Sequence, residues 1–249
     1  MINAPKEIDV FYKLIMSSME GEIRKLTELQ ETDLLLNIQA IITGENDLKS
    51  ISGPHSKFAF IGLLAHHLNE ISDTFETLAE IERLHRARLP LPKEISLARF
   101  RKFLKESHLD NFYILHQRLD AFISVLIRAY SGAKFERFRI AADRFRKEVQ
   151  EETKGIMGLR GTHVHETRFS NFTSEFKRIQ FLELLTSSSK SSHLKSVLRE
   201  AQREHHKFNL NILRHSVHIS KFSLIGLGVL LSALQKDDVL LFPPKYNET

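Results

Sequence analysis

The chain has 249 residues, 42% of them hydrophobic, a formal net charge of +5 and a sequence isoelectric point near 9.3. That is ample apolar material for one compact domain, or for a core with a helical extension. The absence of cysteine excludes disulfides, thiolate chemistry and cysteine-based metal sites. The charge favours an anionic partner, although a ribosomal or histone-like protein would be far more basic.

The first residues, Met1 to Glu7, lack the charged and apolar regions of a signal peptide, so the cytoplasm is the expected location. Ile8, Phe11, Tyr12, Ile15, Met19, Ile23 and Leu26 then predict an amphipathic helix, continuing through Leu34, Ile38 and Ile41 to Gly44. Glu45 to Ser56, with Gly53-Pro54, reads as a loop. Ile61, Leu64, Leu68, Ile71, Phe75 and Leu78 predict a second helix, and Leu89-Pro90-Leu91-Pro92 ends it. That proline pair is the expected boundary between an N-terminal helical extension, residues 1–93, and a bundle in residues 94–249 with its core helices in 94–236.

A short helix is expected around Phe100 to Leu104, with Asp110 as N-cap of the next. Phe112, Leu115, Leu119, Phe122 and Leu126 carry that next helix to Gly132. A basic helix follows, in which Lys134, Arg137, Arg139, Arg144, Arg146 and Lys147 crowd together with few acids among them. Phe135, Phe138, Ala142, Phe145 and Val149 share its 3–4 spacing, so the phenylalanines should face the core and the cations the outside. The outer face, Arg137 and Arg144 included, is either a nucleic-acid track or an ordinary solvated surface.

Beyond it, Phe172, Phe176, Ile179 and Leu182 mark another helix, and Ser187 to Ser192 a polar connector. Leu194, Leu198, Ala201, His205, Phe208, Ile212, His215, Ile219, Phe222, Gly226, Val229 and Ala233 form an unbroken apolar stripe on the last helix. Its end, Phe222 to Leu234, is 13 residues without charge, short of the roughly 20 needed to cross a bilayer. A buried core helix or a dimer surface is expected there, and no membrane association. No stretch alternates convincingly as a strand. The whole predicts an all-α protein of roughly seven or eight helices.

The chemistry concentrates between Leu159 and Phe169, where Arg160 and His165 stand five positions apart. A continuous helix would put them about 140° apart around its axis. Gly158 and Gly161 flank the arginine, so the helix is expected to break and let the two side chains converge on one phosphate. Val164, between His163 and His165, could anchor the turn.

This Arg160-Gly161-Thr162-His163-Val164-His165 stretch resembles the Arg-x(4–6)-His motif of the HEPN superfamily, all-helical proteins many of which are metal-independent ribonucleases. The resemblance implies a HEPN-like helical bundle, a two-fold homodimer that brings two motifs together, and RNA as substrate. By the same resemblance the protein would be a defence or toxin nuclease, with a possible antitoxin or other regulatory protein as partner. His165 would act as acid or base and Arg160 as phosphate clamp. His163 and Arg168 could hold phosphate, and Glu166 could orient His165. Each also reads more simply, the first two as exposed loop residues and the glutamate as a first-turn acid. Family members usually carry asparagine or another polar residue after the arginine, where Gly161 stands here. Relatives with altered motifs bind RNA, nucleotides or a partner protein instead of cutting.

Other chemistries lack their signatures. His163-x-His165-Glu166 and His66-His67 with Glu70 hold ligand-type residues, but no His-Glu-x-x-His pattern occurs and no metal site is expected. Phosphate-cradling glycine loops and the Gly-x-Ser-x-Gly elbow are likewise missing, so no cofactor is expected. His116, His205, His215 and His218 read as hydrogen-bonded structural residues rather than catalysts.

Overall fold

The computed structural model describes residues 6–27, 56–87, 97–161, 171–188, 191–237 and 239–243. Among them the chain is all-α: α1 (Lys6–Thr27), α2 (Ser56–Arg86), α3 (Leu97–Ala129), α4 (Glu136–Gly161), α5 (Asn171–Ser188) and α6 (Ser192–Ser232). A single 3-10 turn, Ala133–Phe135, leads into α4, and two-residue strands β1 (Gln235–Lys236) and β2 (Val239–Leu240) follow α6.

The chain divides into two compact units. The first comprises Met1–Asp73, Gln117–Gln150 and Lys221–Thr249, the second Thr74–His116 and Glu151–Ser220. Each gathers segments from both sides of the Pro90-Pro92 stretch, and α2, α3, α4 and α6 each supply residues to both.

In the first unit, Ile8, Phe11 and Ile15 of α1 are buried, as are Phe60, Ile61, Leu64, Leu68 and Ile71 of α2. The 3–4 spacing gives each helix one apolar side, and each fully buried leucine or phenylalanine contributes about 1.5–3 kcal/mol. Tyr130 sits among rings of Phe60, Phe135 and Phe138 at 6.0, 4.9 and 5.4 Å. Its hydroxyl donates to the Leu241 carbonyl at 2.7 Å, which ties the C-terminal hairpin to the core. That hairpin pairs Gln235 with Leu240 and Lys236 with Val239, and β2 lies against α1. Asp237 turns the chain at φ 52°, a left-handed conformation that aspartate tolerates better than most residues. Each strand has two residues, too few for a period-two alternation to show in the sequence.

Three local expectations need correction. Phe100 to Leu104 is not a separate helix and Asp110 is not a cap: α3 runs unbroken for 33 residues, with Asp110 exposed in mid-helix. No glycine or proline interrupts residues 97–129, and Leu104, His108, Leu109 and Phe112 stay buried across the join. The Asn111 amide donates to the Ser107 carbonyl at 2.8 Å, so the polar pair is absorbed into the helix. Gly158 does not break α4, which continues to Gly161. A mid-helix glycine costs about 1 kcal/mol against alanine, and buried Val149, Thr153 and Ile156 hold this helix across that cost.

The stripe on α6 is the third. Phe208 and Phe222 are 57% and 61% exposed, and His215, Val229 and Ala233 are exposed too, although Ala201 and Ile219 are buried. The buried line is Asn209, Leu213, Ser216, Ser220, Leu224, Leu227, Leu231 and Leu234, displaced by about one position. Serines hid it from hydropathy. Ser216 satisfies its hydroxyl on the Leu213 carbonyl at 2.8 Å and is small enough to bury. Gly226 has a similar packing reason: a Cβ there would stand 2.5 Å from the Phe145 ring of α4.

No described helix is long and apolar enough to cross a membrane. The first helix beyond Thr27 and the loop at residues 45–55 lie outside the described residues.

Candidate functional site

Of the motif, the structure places Arg160 in the last turn of α4, with Gly161 closing the helix. His163, His165, Glu166 and Arg168 lie outside the described residues, as does the side chain of Arg160, so no distance joins them. Arg137 and Arg144 are exposed on the first half of the same helix.

That half has the predicted sidedness. Phe135, Phe138, Ala142 and Val149 are buried, and Phe145 is half-buried. Six cations and three acids occupy residues 134–148, and most of the cations are engaged. Arg144 meets Glu148 at 2.8 Å and Lys147 meets Asp143 at 2.7 Å, both one turn apart. Arg146 grips both carboxylate oxygens of Asp120 on α3, at 2.6 and 3.1 Å, while Gln150 donates to the same group at 2.9 Å. The hydrogen bond from Lys147 lowers the Asp143 carboxyl, and that to Asp120 raises Arg146. A groove of about 590 Å³ runs here, lined by Ile127, Arg139, Ile140, Asp143, Arg144, Lys147 and Glu148. Ile140 is 63% exposed, so the groove offers apolar contact beside mixed charge.

The second unit contains an arrangement that motif reasoning missed. His85 near the end of α2 lies among Arg101, Lys105 and His108 from the start of α3 and His205 and His206 of α6, with Glu82 three positions before it; His85, Glu82, Lys105 and His108 are buried and the others half-buried. His85 is 1% exposed and stacks on His206 with ring centres 5.0 Å apart and planes 13° apart. Neither ring nitrogen of His85, nor Nδ1 of His206, has a hydrogen-bond partner. Burial, then His206, Arg101, Lys105 and His205, pull the His85 pKa down to about 4. His206 is lowered by burial, Arg101 and Arg214. Burial lowers Lys105 to about 7, with Glu106 opposing, and its ammonium lies 5.8 Å from the centre of the Phe208 ring.

Glu82 is the buried carboxylate of the group, bonded by Arg86 at 2.6 Å and approached by Arg214 at 3.5 Å. His108 shares a short hydrogen bond with Ser216. Burial holds it near 3, the Leu78 backbone opposing. A signal for the cluster was present. Ile71, Phe75, Leu78, Glu82 and His85 keep one 4-3-4-3 spacing, and Arg101, Lys105, His108, Phe112 and Leu115 another. Where a core stripe turns polar without changing register, its polar residues are placed to be buried.

The remaining histidines divide. His116 is buried against Phe112 at 4.4 Å with neither nitrogen hydrogen-bonded, not the bonded core residue expected. His205 does bond, to Asn209 at 2.9 Å, while His215 and His218 are exposed. The rings of His66 and His67 are 5.9 Å apart, His67 stacks on Phe122, and Glu70 is taken by Arg118. Among the described residues no three potential ligands gather in a way that could hold a metal. No family model, curated protein or solved structure matches this chain.

Proposed function

We propose that this chain is a metal-independent RNA endonuclease of the defence or toxin type, a HEPN-like homodimer acting in the cytoplasm through Arg160 and His165. Cutting RNA without metal needs removal of the 2′-hydroxyl proton, stabilisation of the phosphorane, and protonation of the leaving 5′-oxygen. An imidazole near neutrality can perform the proton transfers, and a guanidinium fork can hold the phosphate oxygens. Two protomers would each supply half of the composite site. His163 and Arg168 would assist in holding phosphate, and Arg137 and Arg144 would contact the strand. An antitoxin or other regulatory protein would restrain the activity.

The observation that carries this reading is the position of Arg160: the last turn of a helix whose outer face is basic, in an all-α chain. Purified protein incubated with total RNA in EDTA tests it. Cleavage is expected, and Arg160→Ala and His165→Ala should each reduce it at least about 100-fold with the fold intact. A folded dimer that cuts nothing at any concentration would end the enzyme reading.

The second reading is a catalytically inactive HEPN-like helical dimer that binds RNA, nucleotide or a partner protein. The ion pairing of Arg144, Arg146 and Lys147 favours it, as does Gly161 in place of a polar residue. RNA retained in a mobility shift but not cleaved is its signature.

A further inference from the structure

The cations of α6 are arranged differently from those of α4. Lys195, Arg199, Arg203 and Lys207 recur at every fourth residue, all of them exposed and all within the second unit. About 6 Å of rise separates each from the next, and the row drifts about 40° around the helix axis per step. Among the described residues none of the four forms an ion pair or a side-chain hydrogen bond. Glu200 and Glu204 directly follow Arg199 and Arg203, but neighbouring residues point about 100° apart around a helix, and neither acid is paired with the row. Glu183 of α5, which reaches this helix, is bonded instead by Gln202 at 2.9 Å. On α4 such charges are answered one turn away, Arg144 by Glu148 and Lys147 by Asp143. Like charges one turn apart repel, so α6 carries its row against a cost that α4 avoids.

We propose that this row binds the phosphate backbone of a single-stranded nucleic acid. Evenly spaced, solvated cations match a flexible polymer that carries one negative charge per step, and contact releases the counterions held by both. Phe208, the exposed ring that follows Lys207, is turned about 100° away from it, so the row meets phosphates rather than bases and reads no sequence. A lipid surface fits less well. The other side of α6 is committed to the core through Ala201, Asn209 and Leu213, which leaves no apolar face to insert beside the row. The track lies within one unit, on a different helix from Arg137 and Arg144, and requires neither Arg160 nor cleavage.

Binding of a fluorescein-labelled oligodeoxythymidine of about 30 nucleotides to the full chain tests this. DNA lacks the 2′-hydroxyl, so the strand survives a nuclease of the kind proposed above. The slope of log affinity against log salt should be about −3 or steeper, from four contacts at about 0.7 each. Arg203→Gln combined with Lys207→Gln, both at exposed positions, should leave the fold intact, flatten the slope by about 1.4 and weaken binding about 10-fold or more at about 0.1 M salt. Lys13→Gln combined with Lys236→Gln removes the same charge from exposed positions of the other unit and should leave the slope unchanged. Oligouridine of equal length, with Arg160→Ala added to prevent cleavage, should respond to the α6 pair as oligodeoxythymidine does; a response by oligouridine alone would assign the track to RNA. Cleavage of total RNA reads the nuclease separately, and its failure with strand binding intact leaves the track standing. Four results would overturn the proposal: no binding of either strand, a parental slope in the α6 variant, an equal loss in the Lys13 and Lys236 control, or capture of phosphatidylserine vesicles through these residues while neither strand binds.

Discussion

Two groups of cations in this protein obey opposite rules. On the outer face of α4, Arg144 and Lys147 have side chains 81% and 72% exposed, and each meets a carboxylate one turn away. Water and salt screen such pairs, which are worth about 0–1 kcal/mol each. In the second unit His85 and Lys105 are withdrawn from water and His206 is half-buried, and burial is the largest cause that weakens their charged forms. The outer face therefore holds charge at little cost and can offer it to a partner. The inner cluster instead weakens the charged forms of its histidines and of Lys105, and keeps its buried carboxylate, Glu82, matched by two arginines.

Acid should reveal the difference most strongly. His85 and His116 ionise near pH 4 and His108 near pH 3 in the fold, all depressed by burial, against about 6.5 in an unfolded chain. Above pH 6.5 both states are neutral and the stabilisation is complete. Below it the unfolded chain takes up protons that the fold refuses, so stability falls between pH 6.5 and about 4. Each histidine costs about 1.4 kcal/mol per pH unit across this window, and three of them can exhaust a margin of about 5–15 kcal/mol. Urea titrations at pH 7.5, 6, 5 and 4.5 should show the midpoint dropping steadily. A flat midpoint down to pH 4.5 would mean that these imidazoles are solvated.

Removing one carboxylate from each group compares them directly, and the buried one should matter more. Glu82 has a side chain 5% exposed and serves both Arg86 and Arg214. Glu82→Gln keeps the shape but loses the charge-assisted bonds, at an expected cost of about 2 kcal/mol. The loss stays below that of a fully buried pair because the Arg86 and Arg214 side chains, 46% and 54% exposed, can turn to water. Chemical denaturation reads the change, and an effect indistinguishable from a surface substitution would erase the contrast.

How far the sequence revealed these two regions depended on where charge met periodicity. The α4 face was legible because Phe135, Phe138 and Ala142 recur at 3–4 spacing with arginines between them, so sidedness follows from local spacing alone. Its ion pairs were half legible: Arg144 with Glu148 is a spacing rule, but Arg146 with Asp120 needs the fold to bring α3 alongside. The inner cluster was illegible to motif reasoning, since His85, Arg101 and His206 are far apart in sequence and converge only through packing. Arg101 with His108 and Arg199 with His205 or His206 satisfy the same Arg-to-His spacing rule as the motif, yet the contacts of Arg101 and His206 are set across helices. The buried line of α6 was lost for another reason: Ser216 and Ser220 count as polar in any hydropathy scheme but bury readily in a helix.

The smallest expected change in stability is also the most informative about the α4 face. Glu148→Gln removes the exposed partner of Arg144 and should alter stability by no more than about 0.5 kcal/mol. Its consequence for RNA depends on what the face is for. If Arg137 and Arg144 contact phosphates, freeing Arg144 adds one cation to the contact. RNA affinity then rises, and the slope of log affinity against log salt steepens by about 0.7 to 0.9. If the groove between Ile127 and Ile140 takes another partner, or the face is merely solvated, affinity and slope both stay where they were. An unchanged slope with RNA still bound would move the contact elsewhere on the chain and leave these arginines as solvated pairs.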